Sequence, residues 1–148
     1  MSRIGKEEYF MQLAYVAAKR STCARRQVGC VLTDVDGKVL AIGYNGSPSG
    51  WPHCIDTPCP GAKYKSGEGL DFCEAIHAEQ NAVSQCKDLS EVFACHVTTS
   101  PCMNCAKLLV TLPNLKFVGY DELYQPQRPA ITYLAENGIQ CNRFVEKV

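Results

Sequence analysis

Two short stretches of the 148-residue chain carry residue types that could do chemistry together. Residues 76–83 read "IHAEQNAV", with His77 and Glu79 two positions apart in an otherwise mostly small and apolar run. Residues 100–109 read "SPCMNCAKLL", with Cys102 and Cys105 three apart. Pro101 suits a first helical position, and a spacing of three puts both thiols on one face of the first turn. A helix N-terminus favours negative charge, which primes such thiols to ionise and bind metal. By itself the CxxC leaves two readings open, a redox pair and half of a zinc site; nothing else in the chain matches a thioredoxin-like unit.

Combining the stretches narrows this. His77, Cys102 and Cys105 supply three N/S ligands for zinc and leave a fourth position open, as a catalytic site requires. Glu79 would then be a non-ligating acid/base beside the metal. The arrangement H-x-E…P-C-x-x-C is the mark of zinc-dependent deaminases of cytosine and adenine bases. Zinc brings the pKa of water close to neutrality. Glu79 takes that proton and delivers it to ring N3, which makes C4 of a cytosine electrophilic towards hydroxide. The same carboxylate then passes a proton to the departing ammonia, so it serves as base and then as acid and must stay unligated.

The elements that must position these groups can be read from periodicity. Residues 6–20, "KEEYFMQLAYVAAKR", place Phe10, Leu13, Ala14 and Ala17 at helical spacing, with acids early and bases late. In "QVGCVLTDVDGKVLAIGYN" two β-rich runs flank Asp36-Gly37, a hairpin signal. From Asn45 to about Gly69 the chain is rich in Gly, Pro, Ser and Cys, and no regular structure is expected; a loop this long is usually functional or tied down. A helix is expected from about Ala75 to Cys86, a strand over "EVFACHVTT", a helix from Pro101 to about Leu112, a strand over "LKFVGY", a helix over "RPAITYLAENG" and a last strand over "IQCNRFV". Short connections between alternating strands and helices imply parallel pairing with crossover helices. The expected fold is therefore α/β, a three-layer α/β/α sandwich with a mixed five-stranded sheet. Residues 1–148 are expected to form a single domain with a Cys/Gly/Pro-rich insert at about 45–73. Helix N-termini in such a sheet gather at the carboxyl ends of the strands, where open α/β sheets bind ligands.

Composition bounds the function. Hydrophobic residues make up 46% and charged residues 20%, the profile of an ordinary soluble globular protein. Fifteen basic and fifteen acidic residues cancel, which argues against broad binding to nucleic acid. Lys19, Arg20, Arg25 and Arg26 do cluster, as a local binding patch or as a solvated helix end with its turn. No apolar run approaches the ~18 residues needed to span a membrane. The charged start "MSRIGKEEYF" lacks the apolar core of a signal peptide, so a cytoplasmic location and no membrane partner are expected. In a reducing cytosol ten cysteines point to metal ligands, a reactive thiol or core residues. Cys30, Cys86, Cys95 and Cys141 fall in expected strands or helices and read as small core residues. No role is expected for His96.

The segments "RSTCARRQVG", "GYNGSPSGWPHC", "IHAEQNAV" and "TTSPCMNCAKLL" resemble the deoxycytidylate (dCMP) deaminases of bacteria and their phages, within the cytidine deaminase-like zinc deaminases. The resemblance runs from about residue 7 to 145. It implies hydrolysis of dCMP to dUMP and ammonia, feeding thymidylate synthesis. It also implies that Asn45 binds the deoxyribose 3′-hydroxyl, the backbone N–H of Ala78 the pyrimidine O2, and the backbone around Ser100 the 4-amino group. Arg26 and Tyr124 would take the 5′-phosphate, although Arg26 also reads as a surface residue on a turn. A second, structural zinc is implied on Cys23, Cys54, Cys59 and Cys73, with His53 able to replace one cysteine; a closed thiolate site would order the insert. The resemblance further implies a homohexamer controlled by dCTP and dTTP, with Mg2+ accompanying the effector, near the "GYNG" loop at Asn45 and Gly46. In a viral setting the location would be the host cytoplasm.

Two other readings share these residues. A transfer-RNA adenosine deaminase has the same zinc core, but zero net charge and the "GYNG" loop count against a polynucleotide substrate. A non-catalytic zinc module would close His77, Cys102 and Cys105 with a fourth ligand and leave Glu79 without a purpose.

Overall fold

The computed structural model describes residues 2–65, 68, 74–124 and 129–144. Helix α1 (Lys6–Ala18) leads into strands β1 (Gly29–Thr33) and β2 (Val39–Tyr44). Helix α2 (Ala78–Gln85) follows the insert and precedes a short 3-10 turn at Leu89–Glu91. Then come β3 (Ala94–Thr99), α3 (Met103–Val110), β4 (Phe117–Glu122), α4 (Ala130–Glu136) and β5 (Gln140–Arg143). The five strands form one sheet in the order β2-β1-β3-β4-β5. β1 pairs antiparallel with both β2 and β3, whereas β3–β4 and β4–β5 are parallel. The mixed five-stranded sheet with helices on both faces is the fold expected from the sequence.

Local chemistry explains these elements. At the hairpin, the Asp34 carboxylate accepts from the backbone N–H of Asp36 at 2.9 Å and of Lys38 at 2.8 Å. Gly37 supplies the left-handed residue of that turn, with φ 86°. β1 and β3 are buried along their whole length, as central strands covered on both faces must be. On one face Met11 and Ala14 of α1 pack on Val31. On the other, Ala78 and Ala82 of α2, Ala106 and Leu109 of α3 and Ala130 and Leu134 of α4 close over Cys30, Leu32, Cys95, Val97 and Val118. Fully buried leucines such as Leu32, Leu109 and Leu134 each contribute about 1.5–3 kcal/mol.

β2 runs antiparallel to β1, and β1 antiparallel to β3, so β2 and β3 point the same way. Their carboxyl ends therefore share one edge of the sheet, and the helices that follow, α2 and α3, both begin there. Gly43 fixes how closely α2 lies on β2. A Cβ at that position would stand 2.5 Å from both the Ala78 carbonyl oxygen and the Ala82 nitrogen, which are backbone atoms that cannot swing aside. An isolated bridge between Gly46 and Ile76 ties the exit of β2 to the approach of α2.

Several boundaries differ from expectation. α1 ends at Ala18 and Lys19 is its C-cap, so the late bases fall at and just beyond the helix end. α2 begins at Ala78 and α3 at Met103, later than the expected Ala75 and Pro101. In both, the residue before the helix has extended backbone. Pro101 thus precedes the cap and is not the first helical residue. Phe93 and the residues before it lie outside β3, because the 3-10 turn intervenes. Among the described residues, the insert holds turns and bends but no helix or strand, as expected. No helix of the described chain is long and apolar enough to cross a membrane.

Candidate active site

The two later helix starts change where the candidate ligands point. His77 and Cys102 are the N-cap residues of α2 and α3, with φ/ψ of −71°/155° and −74°/171°. Side chains on extended backbone at a cap project off the end of the helix, into the space between the two helix N-termini. The Cys102 Sγ caps α3 by accepting the Cys105 N–H at 3.5 Å, and the Gln80 side chain closes α2 by accepting the His77 N–H at 2.9 Å. Cys105 lies one turn into α3 and is fully buried.

His77 Nδ1 lies 3.5 Å from Cys102 Sγ and 3.2 Å from Cys105 Sγ. Two ligands of one tetrahedral zinc, at the usual Zn–N and Zn–S bond lengths, stand about 3.5 Å apart. The cluster therefore fits a zinc ion without rearrangement. Among the described residues it is the group in which three potential ligand atoms lie within 4.8 Å of one another. Glu79 is not one of the three, so the donor set leaves a coordination position for a non-protein ligand.

The charges agree with that geometry. The hydrogen bond from Cys105 holds the Cys102 thiol down to about 4, helped by His77 and the Cys105 N–H. The Cys105 thiol is pushed up, first by that same hydrogen bond and then by burial. The hydrogen bond to Cys102 raises His77 against the opposing effect of burial. Glu79 is only 4% exposed. Burial drives its carboxyl up to about 7, against the lowering pull of its own backbone N–H and of His77. A carboxyl held near neutrality can both accept and return a proton.

A cleft opens over this cluster. His77, Glu79, Cys102, Asn45, Arg26 and Tyr124 line it. Ala78 and Ser100 line it too, so every residue that the sequence suggested for substrate binding reaches the same cavity. The Arg26 guanidinium lies 5.6 Å from the centre of the Tyr124 ring, a cation–π distance. Tyr124 is itself held by Ser100, whose Oγ accepts the Tyr124 N–H at 2.6 Å, while the Ser100 N–H bonds the Glu122 carbonyl at 2.8 Å.

The second cysteine group is assembled less completely. Cys54 and Cys59 bring their sulfurs to 3.6 Å, and the Cys59 N–H donates to Cys54 Sγ at 3.5 Å. Cys23 and Cys54 are buried. With Cys59 they do not close into a three-ligand group, and Cys73 lies outside the described residues. His53 instead sits 4.0 Å from the Asp56 carboxylate. The insert is tied to the cleft through Arg25, whose Nη1 donates to the carbonyls of Tyr64 at 3.3 Å, Lys65 at 3.0 Å and Glu68 at 2.8 Å. Cys30 and Cys95 are fully buried as expected, with sulfurs 3.5 Å apart, while Cys86 and Cys141 are only half-buried. His96 is buried in β3 between Phe10 and Phe117.

Sequence reasoning missed Ser21, and placed Arg25 only in a basic cluster without its role in holding the insert. Each does its work through backbone or amide partners that only the folded chain brings near, and a serine or arginine after a helix reads as a surface turn.

A mixed five-stranded sheet that aims a His/Cys/Cys cluster and a buried, separate glutamate into one cleft defines the zinc-binding nucleobase deaminase class. Residues 4–120 match the family described as the cytidine and deoxycytidylate deaminase zinc-binding region, and the chain belongs to that family. It is 34% identical over 143 residues to the deoxycytidylate deaminase of Schizosaccharomyces pombe, covering 94% of this chain and 44% of that one. The chain thus spans less than half of that yeast relative. With the deoxycytidylate deaminase of Mycobacterium phage D29 it shares 39% identity over 116 residues, covering 74% of this chain and 89% of the phage protein. Among solved structures, the dCMP deaminase of cyanophage S-TIM5 in complex with dCMP and dUMP superposes with a TM-score of 0.76 at 27% identity, covering 97% of this chain and 100% of that one.

Proposed function

We propose that this chain hydrolyses dCMP to dUMP and ammonia. One observation carries the reading: a buried carboxylate, Glu79, stands outside the His77–Cys102–Cys105 ligand group, in a cleft that Asn45, Arg26 and Tyr124 also line. The relatives named deoxycytidylate deaminase and the cyanophage complex with dCMP and dUMP support it.

His77, Cys102 and Cys105 would hold the zinc, which supplies the Lewis acidity that makes water deprotonable near neutral pH. Glu79 takes the proton from water and passes it to N3 of the base, so C4 accepts the hydroxide oxygen. Glu79 then moves the proton of the new C4 hydroxyl to the exocyclic nitrogen; the C4–N bond breaks, ammonia leaves and C4 becomes a carbonyl. The Ala78 N–H holds O2, the backbone around Ser100 the 4-amino group and Asn45 the 3′-hydroxyl. Arg26, braced by Tyr124, takes the 5′-phosphate, for which a guanidinium is the best-matched cation.

The same reading extends to organisation. Residues 1–148 act as one deaminase domain with an insert at about 45–73. Cys23, Cys54, Cys59 and Cys73 hold a second, structural zinc, for which the Cys54–Cys59 approach is the supporting contact. The chain works as a cytoplasmic homohexamer, in the host cytoplasm if it is viral. dCTP activates it and dTTP inhibits it, with Mg2+, at the loop containing Asn45 and Gly46.

The test is to incubate zinc-loaded protein separately with dCMP, deoxycytidine and dCTP, with and without dTTP, and follow ammonia. Turnover of dCMP but not deoxycytidine supports a phosphate-reading nucleotide deaminase. No turnover of any of the three overturns it.

A further inference from the structure

We propose that Ser21 is a positioning residue for the substrate: it locks the Asn45 carboxamide so that the cleft offers the sugar a single N–H donor and no acceptor. The argument is a count of hydrogen-bonding groups. A carboxamide has two acceptor sites on its oxygen and two N–H donors. Asn45 Oδ1 accepts from the Val28 N–H at 2.8 Å and from the Ser21 hydroxyl at 2.7 Å, which uses both acceptor sites. Asn45 Nδ2 donates one N–H to the Arg26 carbonyl at 2.7 Å. The Val28 N–H can only donate and the Arg26 carbonyl can only accept, so the orientation of the amide is fixed by chemistry. One N–H remains. Asn45 is 8% exposed, and the side from which it can be reached is the cleft.

Ser21 is 7% exposed. Its Oγ also lies 2.8 Å from the Asn45 carbonyl oxygen and accepts the Cys23 N–H at 3.2 Å. One hydroxyl proton therefore serves both the backbone and the side chain of Asn45, while the hydroxyl oxygen fixes the turn at Cys23. Without it, the carboxamide keeps two of its three anchors, Val28 on Oδ1 and Arg26 on Nδ2, and one acceptor site of Oδ1 is left unfilled, so the amide is held less tightly. The Asn45–Arg26 bond also couples this lock to the phosphate arm, since Arg26 is the residue stacked towards Tyr124. The lone donor requires an acceptor on the ligand; the oxygen of a sugar hydroxyl is one, and a 3′-methylene is not.

This inference rests on the nucleotide reading above, with Asn45 beside the 3′-hydroxyl. It is tested with wild type, Ser21→Ala and Ser21→Thr acting on dCMP and on 2′,3′-dideoxycytidine 5′-monophosphate. Loss of one uncharged hydrogen bond that acts equally on ground and transition states should raise KM for dCMP about fivefold in Ser21→Ala, with kcat within about twofold. KM of the same variant for the dideoxy substrate should stay within about twofold of wild type, because the contact is already missing. Ser21→Thr, which keeps the hydroxyl, should restore the dCMP value. The ratio of the two substrates on one preparation does not depend on how much of the variant is folded. An equal rise for both substrates, or no rise for dCMP, overturns the positioning role. Wild type that turns over neither substrate overturns the nucleotide reading instead; calorimetric binding of the two nucleotides to the three proteins then decides the Ser21 role by the same ratio.

Discussion

The cysteines at the start of α3 and those of the insert are organised by different physics. Cys102 and Cys105 stand on a helix that a parallel strand delivers to the sheet edge, and His77 arrives on a second helix packed on β2 through Gly43. Their separations are those of zinc ligands before any ion is considered. Cys54 and Cys59 sit instead in turns without regular structure, held to the rest by the Arg25 fork, the Ile55 N–H to the Thr22 carbonyl at 3.0 Å and the Ser47 N–H to Thr22 Oγ1 at 3.0 Å. The difference teaches that a ligand set built on element ends is fixed by the packing of the core. One built on a loop is not closed by that packing.

The sharpest way to break that comparison is Glu79→Gln. If the three helix-end ligands are sufficient, the variant keeps its zinc by elemental analysis while turnover falls about a thousandfold, the range for losing a general acid/base. Loss of zinc would make Glu79 a ligand and the site a closed one.

A second test asks whether the sheet supporting the helix ends has its own pH dependence. Burial holds His96 down at about 4, against an ordinary value of 6.5. Above pH 6.5 both folded and unfolded chains carry it neutral, and the full stability is present. As pH falls from 6.5 towards 4 the unfolded chain takes up a proton that the folded chain refuses, so stability drops, by about 3 kcal/mol in all. Denaturant melts of wild type and His96→Leu across that range should differ in slope with this sign. Parallel pH profiles would contradict it.

The smallest effect is expected in the loop. If the proposed second zinc is held there, Cys54→Ser, at a 2% exposed position, should remove that equivalent of metal and cost about 1 kcal/mol. It should speed proteolysis within 45–65 and leave kcat within about twofold. A large loss of kcat would mean that the insert organises the catalytic cluster after all.

Legibility in the sequence follows the same division. The order of strands and helices was readable because each has its own period and turn residues, and the H-x-E and PCxxC pieces were readable because zinc chemistry fixes their types. Their placement exactly at caps was not, since extended backbone at His77 and Cys102 has no compositional mark. The Asn45 lock was equally hidden. Asn45 stood out as a candidate sugar contact, yet three of its four hydrogen-bonding sites are spent on Ser21, Arg26 and Val28, which lie 24, 19 and 17 positions away.

The most direct test of the whole account is to run the reaction in water enriched in oxygen-18 and weigh the product. Hydrolytic deamination assisted by Glu79 predicts dUMP carrying one heavy oxygen at C4, with one ammonia released per dUMP, and both formed about a thousandfold more slowly by Glu79→Gln. Absence of dUMP, or dUMP without the label, would contradict it.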